Sequence, residues 1–126
     1  MIWAVAVGGA LGALARWGAT AGLARISRGT TLAGYPLGTL AVNVLGSFLL
    51  GYLVFHERLP LSPALRVGIG TGFLGALTTF STFELDLFLL HGERGPWAAA
   101  AYLGANVAIG FLALLAGRAL ASGPIS

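Results

Sequence analysis

The sequence predicts an all-α membrane protein of four transmembrane helices, the third broken mid-membrane, assembled as an antiparallel dual-topology homodimer. Hydrophobic residues make up 57% of the 126-residue chain and charged residues only 9%. No polar stretch is long enough to form a soluble domain, so a single transmembrane domain over residues 1–126 is expected. Four apolar runs lie near the ~20 residues that a helix needs to cross the hydrocarbon, at about 2–23, 37–55, 64–90 and 97–120. Midway along the third, Thr78, Thr79, Ser81 and Thr82 surround Phe80 and Phe83. Irregular backbone at that depth is tolerated only where protein buries it or water lines it, which marks this segment as a functional site.

The first span starts directly at Met1-Ile2-Trp3, with no basic segment or cleavage pattern ahead of it, so it is expected to stay in place rather than act as a signal peptide. Gly8 and Gly12 form a GxxxG pattern that lets two helix backbones approach closely. Arg16, about fifteen residues into the span, carries a charge that costs several kcal/mol unless it snorkels or finds a partner. It reads either as a snorkelling side chain or as a fixed cation bracing an anion vestibule.

The second span reads GTLAVNVLGSFLLG from Gly38 to Gly51. Thr39, Asn43 and Ser47 recur every four residues and make one polar stripe on a helix that is otherwise apolar. Asn43 has two N–H donors near mid-span that need partners, which either another helix or a passing hydrogen-bond acceptor can supply. Pro36 suits the first turn, and Tyr35 and Tyr52 suit the interfaces.

In the third span Gly68, Gly70, Gly72 and Gly75 weaken helix propensity ahead of the hydroxyl run, so the helix is expected to unwind there. The fourth, alanine-rich span places Tyr102 and Asn106 on one face, and Pro96 and Trp97 mark its first turn at an interface.

The net charge of +3 comes entirely from arginine, and the arginines sit at span ends, where a membrane protein keeps its cations, so the basic balance does not point to nucleic acid. With the termini and the second loop on one side, that side holds Arg58, Arg66 and Arg118, and the other holds Arg25, Arg28 and Arg94. So even a balance gives almost no orientation preference, and a short chain without one is expected to insert both ways and pair antiparallel.

Cysteine is absent, and His56 and His91 have no ligand-spaced partners, which argues against thiol chemistry and side-chain metal sites. No nucleophile elbow, P-loop or HExxH pattern occurs, so an enzyme is not expected.

The intramembrane polar set consists of donors plus the Arg16 cation, while Glu84 and Asp86 fall just past the hydroxyl run. Cation pathways and proton-coupled exporters favour buried carboxylates, whereas donors and positive charge suit a small anion. Desolvating such an ion costs tens of kcal/mol, and each charged hydrogen bond returns only ~1.5–3, so a row of donors is required. The positive ring edges of Phe80 and Phe83, three residues apart, can add to that row.

Three blocks, GGALGALARW, GTLAVNVLGSFLLG and GTGFLGALTTFSTF, together resemble the CrcB/Fluc fluoride channels over essentially the whole chain. The resemblance implies a dual-topology antiparallel homodimer in the cell inner membrane, multi-pass, that passively exports fluoride from the cytoplasm and so protects against its toxicity. It places Asn43, Phe80 and Phe83 on the pathway, with Ser81 and Thr82 near it. Thr39, Ser47, Thr79, Tyr102 and Asn106 complete the polar set of donors, and Arg16 matches the family's first-span arginine. It also implies a structural sodium ion at the dimer centre, held by backbone carbonyls of Gly75 and Thr78 from each subunit. This chain departs from the family in Glu84, an added acid, in Asp86 at the usual glutamate position, and in Asn106 and Gly110 where many relatives carry serine. A four-span proton-coupled multidrug exporter would need a first-span carboxylate, which is missing, and a non-transporting scaffold would leave the donor stripes unused.

Overall fold

Long apolar runs without proline favour helix, and in the computed structural model, which describes residues 1–122, nearly every such run is helical. The domain expected over 1–126 extends into residues 123–126, which lie outside the described residues. Helix α1 spans Ile2–Ser27 and α2 spans Leu37–Phe55. Helix α3 covers residues 63–77, as an α-helical turn Pro63–Val67, a wider π-helical stretch Gly68–Leu74 and a final turn Gly75–Leu77. Helix α4 spans Phe80–Arg94, and α5 spans Pro96–Ser122 with a π-helical stretch at Ala105–Ile109. Among the described residues four segments are long and apolar enough to cross a membrane: α1, α2, the α3–α4 pair Pro63–Arg94, and α5.

The boundaries follow from local chemistry. The Ser62 hydroxyl accepts from Leu65 N at 3.2 Å and Pro63 occupies the first turn, so α3 starts on a side-chain cap. Between α4 and α5 the only linking residue is Gly95, whose φ of +88° suits glycine alone, and Pro96 then opens α5. Past the apolar part of the first span, α1 runs on through Arg25 to Ser27 and stops before Gly29, at φ +78°. The nine residues that follow are fastened at their far end by Arg94, which donates to Ala33 O and lies 4.4 Å over the Tyr35 ring.

Packing rests on close backbone approach. A methyl group at Gly8 or Gly12 of α1 would run into the carbonyl of Gly68 or Phe73 in α3, so these glycines let α1 lie against the π-helical stretch. The α2 and α5 helices run side by side, with Asn43 facing Asn106, Ser47 facing Gly110 and Gly51 facing Leu114 at a constant offset. The buried apolar residues form two small clusters, Val42 with Leu53, Leu74 and Leu77, and Phe83 with Leu90 and Tyr102. Large side chains such as Trp3 (79% exposed), Trp17 (73%) and Trp97 (86%) face outward. In water so much apolar surface would drive aggregation, whereas in lipid it is the expected exterior.

Candidate functional site

The helix stops at Leu77. Thr78 (φ −80°, ψ 153°) and Thr79 (φ −151°, ψ 124°) are extended, and α4 resumes at Phe80. Such an interruption strands carbonyls at the end of α3 and N–H groups at the start of α4. Some are claimed locally: Leu74 O accepts from both Thr78 N (3.1 Å) and Thr78 Oγ1 (3.0 Å), and Thr79 Oγ1 caps α4 by accepting from Thr82 N at 3.2 Å.

The backbone N–H and C=O of Thr79, which the interruption leaves without helical partners, are held from α2. Its N–H donates to Asn43 Oδ1 at 2.9 Å, and its carbonyl accepts from Asn43 Nδ2 at 3.3 Å. One asparagine thereby satisfies both polar groups of a buried residue, as a neighbouring strand would. Asn43 Nδ2 also donates to Asn106 Oδ1 at 3.0 Å, and Asn106 Nδ2 donates to Tyr102 O at 3.1 Å, so the bracing runs from the interruption through α2 into α5. Gly46 permits the approach, since a methyl there would overlap the Thr78 methyl.

A cavity of about 500 Å³ opens at this junction. Its polar lining is Asn43, Ser47, Thr78, Thr79 and Asn106, with Gly75, Phe80 and Phe83 beside them. The Phe80 and Phe83 rings lie 5.8 Å apart at 59°, and Phe83 meets Tyr102 at 5.7 Å and 46°, so three aromatic rings form a row away from the interruption. Phe83 is buried at 4% exposure, whereas Phe80 is 72% exposed on the open side of the cavity. At the end of the row Tyr102 Oη donates to Asp86 Oδ2 at 3.1 Å.

The other sequence-selected residues lie around this centre. Thr39 is buried one turn before Asn43, while Thr82 is half-buried and Ser81 exposed on the first turn of α4. Neither Thr39, Ser81 nor Thr82 lines the cavity, and Arg16 is half-buried on α1, also away from it. Gly75, exposed, and Thr78 do line it, placing the end of α3 on its wall. Among the described residues no group of three His, Cys, Asp or Glu can hold a metal, so the oxygens this cavity offers a cation are those of hydroxyls, side-chain amides and the backbone. Sequence reasoning did not single out Gly46, Leu50, Gly70, Leu74 and Val107 as lining residues; Gly46 and Gly51 on α2 face different neighbours, Thr78 and Leu114, so their spacing did not mark one contact face.

The family model for "CrcB-like protein, Camphor Resistance (CrcB)" matches residues 3–118. A protein of Acidobacterium capsulatum named fluoride-specific ion channel FluC is 47% identical over 120 residues, covering 92% of this chain and 90% of the relative. The protein of the same name from Deinococcus radiodurans is 47% identical over 122 residues, covering 94% and 92%. A third, from Methanopyrus kandleri, is 44% identical over 120 residues, covering 94% and 86%. These relatives are named as ion channels, not enzymes, and the match spans every helix described above, so the chain belongs to the CrcB family.

Proposed function

We propose that the protein is a fluoride-selective channel that lets fluoride leave the cytoplasm passively and so protects the cell from it. The observation that carries this reading is the cavity at the helix interruption, where hydrogen-bond donors and aromatic edges meet and no carboxylate lines the wall. Relatives at 47% identity that are named fluoride-specific channels support it.

The chemistry follows from fluoride's cost of dehydration. A small anion leaving water forfeits tens of kcal/mol, and donors returning ~1.5–3 kcal/mol each must be met in succession. Asn43, Ser47, Thr79 and Asn106 supply that succession at the interruption, with Thr39, Ser81, Thr82 and Tyr102 extending it. The tilted Phe80–Phe83 pair offers ring edges between the donors, where the quadrupole is positive. Arg16 supplies fixed positive charge to an approach vestibule.

In this reading the interruption lies mid-membrane in an antiparallel, dual-topology homodimer in the cell inner membrane. The exposed faces of Phe80 and Gly75 then meet the second subunit and close the cavity, which one chain leaves open. A structural sodium ion at the dimer centre fits the donor set. Beyond Leu74 O the terminal carbonyls of α3 have no helical partner, Gly75 brings no side chain, and a methyl there would find nothing closer than Gly70 O at 3.9 Å. Gly75 and Thr78 carbonyls from both subunits would hold the ion, which braces the interface and is not transported.

Fluoride efflux from liposomes tests the reading. Phe80→Ile keeps apolar volume but removes the ring edge, and it should abolish flux while the dimer stays intact; Asn43→Ala should reduce flux sharply. Normal flux in both variants would defeat the pathway assignment.

A further inference from the structure

A second cavity lies on another face of α2. Leu37, Ala41, Val44 and Phe48 recur at i, i+4, i+7 and i+11, so they form one apolar stripe along the helix. At 3.6 residues per turn that stripe sits roughly 130° around α2 from Asn43, clear of the surface that the proposed dimer covers. Leu23 of α1 and Ala113 of α5 line the same space, and the three helices enclose a groove of about 720 Å³ whose lining side chains are all apolar.

The groove is built into the fold. A methyl at Gly38 would run into Thr20 Cα, so α1 is seated on the first turn of α2 less than one turn before Leu23. On the other side Gly51 and Gly117 hold α5 against α2. Both walls rest on backbone contacts, so neither can move in to fill the space, and an empty groove would forfeit the dispersion energy of its lining. On the lipid-facing side of a membrane helix, hydrocarbon is the material at hand to fill it. The stripe from Leu37 to Phe48 is about 16 Å long, close to the ~15 Å of hydrocarbon in one leaflet.

Charge marks one end of the groove. Leu23 and Leu37 lie where α1 ends and α2 begins, and Arg25 and Arg28, two and five residues past Leu23, are both exposed. Arg94, which donates to Ala33 O, adds a third cation at this end of the molecule, and Glu93 is the opposing charge. The first turn of α2 has no side-chain cap, so the positive end of its dipole is uncompensated there. Positive charge is thus in surplus at the level where a lipid places its phosphate.

We propose that this groove binds an acyl chain of an anionic phospholipid, with the headgroup phosphate held by Arg25 and Arg28. The site lies apart from the ion pathway, so its test does not depend on which ion the protein conducts.

Two photoreactive lipids test it, a phosphatidylglycerol and a phosphatidylcholine, each with a diazirine midway along the same acyl chain. After photolysis in liposomes containing the whole protein, peptide mapping should place phosphatidylglycerol adducts on residues 41–48 and 109–116. Their yield should exceed that of the phosphatidylcholine probe roughly tenfold or more, as expected for two arginines near an anionic phosphate. Arg25→Gln combined with Arg28→Gln should bring the two yields together, and Ala113→Phe, which sets a ring in the groove, should remove the adducts of both. Equal yields from the two probes on the unmodified protein, or adducts spread evenly over all outward helix faces, would overturn the proposal. A second copy of the chain seated in the groove would exclude both probes from residues 41–48 and make Ala113→Phe monomeric, and that pattern would overturn it as well.

Discussion

Gly117→Ala places a single methyl group in the seam between α2 and α5, and the structure allows its effect to be worked out. A methyl at that position would overlap Phe48 O outright and lie 2.9 Å from both Phe48 C and Tyr52 N. The overlap with Phe48 O is the tightest of the three and sets the separation, so the helices must part by at least about 1 Å before the contact is an ordinary one. All three obstructing atoms are backbone, so no rotamer change relieves the clash. A radial gap of 0.5–1 Å forfeits about a quarter to a half of the dispersion energy along the seam. Overpacking costs about 1–3 kcal/mol, and a backbone obstruction belongs at the upper end. Because Asn43 meets Asn106 across the same two helices at 3.0 Å, a splay of this size also stretches the bond that ties the interruption to α5. Equilibrium unfolding in mixed micelles should show a loss of about 3 kcal/mol, and fluoride efflux should fall. The control is Gly18→Ala, where a methyl meets nothing within 4 Å; it should be neutral or stabilising by up to about 1 kcal/mol, since alanine favours helix. Equal stability of Gly117→Ala and the parent protein would refute the close α2–α5 packing from which this cost is derived.

Three further expectations follow from other parts of the molecule. Arg66 donates to Leu53 O at 2.6 Å and to His56 O at 3.3 Å, so it closes the end of α2; Arg66→Ala should cost about 2–3 kcal/mol in unfolding experiments with fluoride flux per folded dimer unchanged, and a flux loss at full stability would give Arg66 a transport role instead. Exchanging sodium for N-methylglucamine throughout purification should lower the melting temperature of the dimer, by an amount equivalent to about 2.7 kcal/mol if sodium had stood at a hundredfold excess over its Kd; an unchanged melting curve would argue against a structural sodium. Tyr102→Phe removes the hydroxyl that donates to Asp86 while keeping the ring beside Phe83, and it should slow fluoride efflux several-fold without unfolding the protein; full-rate efflux would remove Tyr102 from the pathway.

Hydropathy located the four apolar segments because lipid selects apolar surface directly, but it is blind to where a helix ends. The third run begins at Pro63 and continues to Arg94, set by the Ser62 cap and by Gly95 at φ +88°, whereas hydropathy alone suggested 64–90. Likewise α1 extends through Arg25 to Ser27, because a helix once started gains a hydrogen bond per residue whether or not the residue is apolar. The π-helical stretches at Gly68–Leu74 and Ala105–Ile109 left no clear trace in the sequence, since the extra residue per turn is settled by what packs against it.

The same division holds at the site. Spacing put Thr39, Asn43 and Ser47 on one face, and the hydroxyl run drew attention to Thr78 and Thr79. That Asn43 would clasp both the N–H and the C=O of Thr79 was not legible, because it depends on residues 36 apart in the chain and on Gly46 allowing α2 close to the interruption. The pairing of Asn43 with Asn106 depends in the same way on the register of α2 against α5, which the glycines of the seam determine in three dimensions.

The most direct test of the channel reading is ion release from liposomes that contain the purified protein, with fluoride and chloride followed by selective electrodes under the same potassium gradient and valinomycin. Rapid fluoride release with no chloride release is the predicted result; release of neither ion from well-folded dimers, or of both at similar rates, would contradict a fluoride-selective channel.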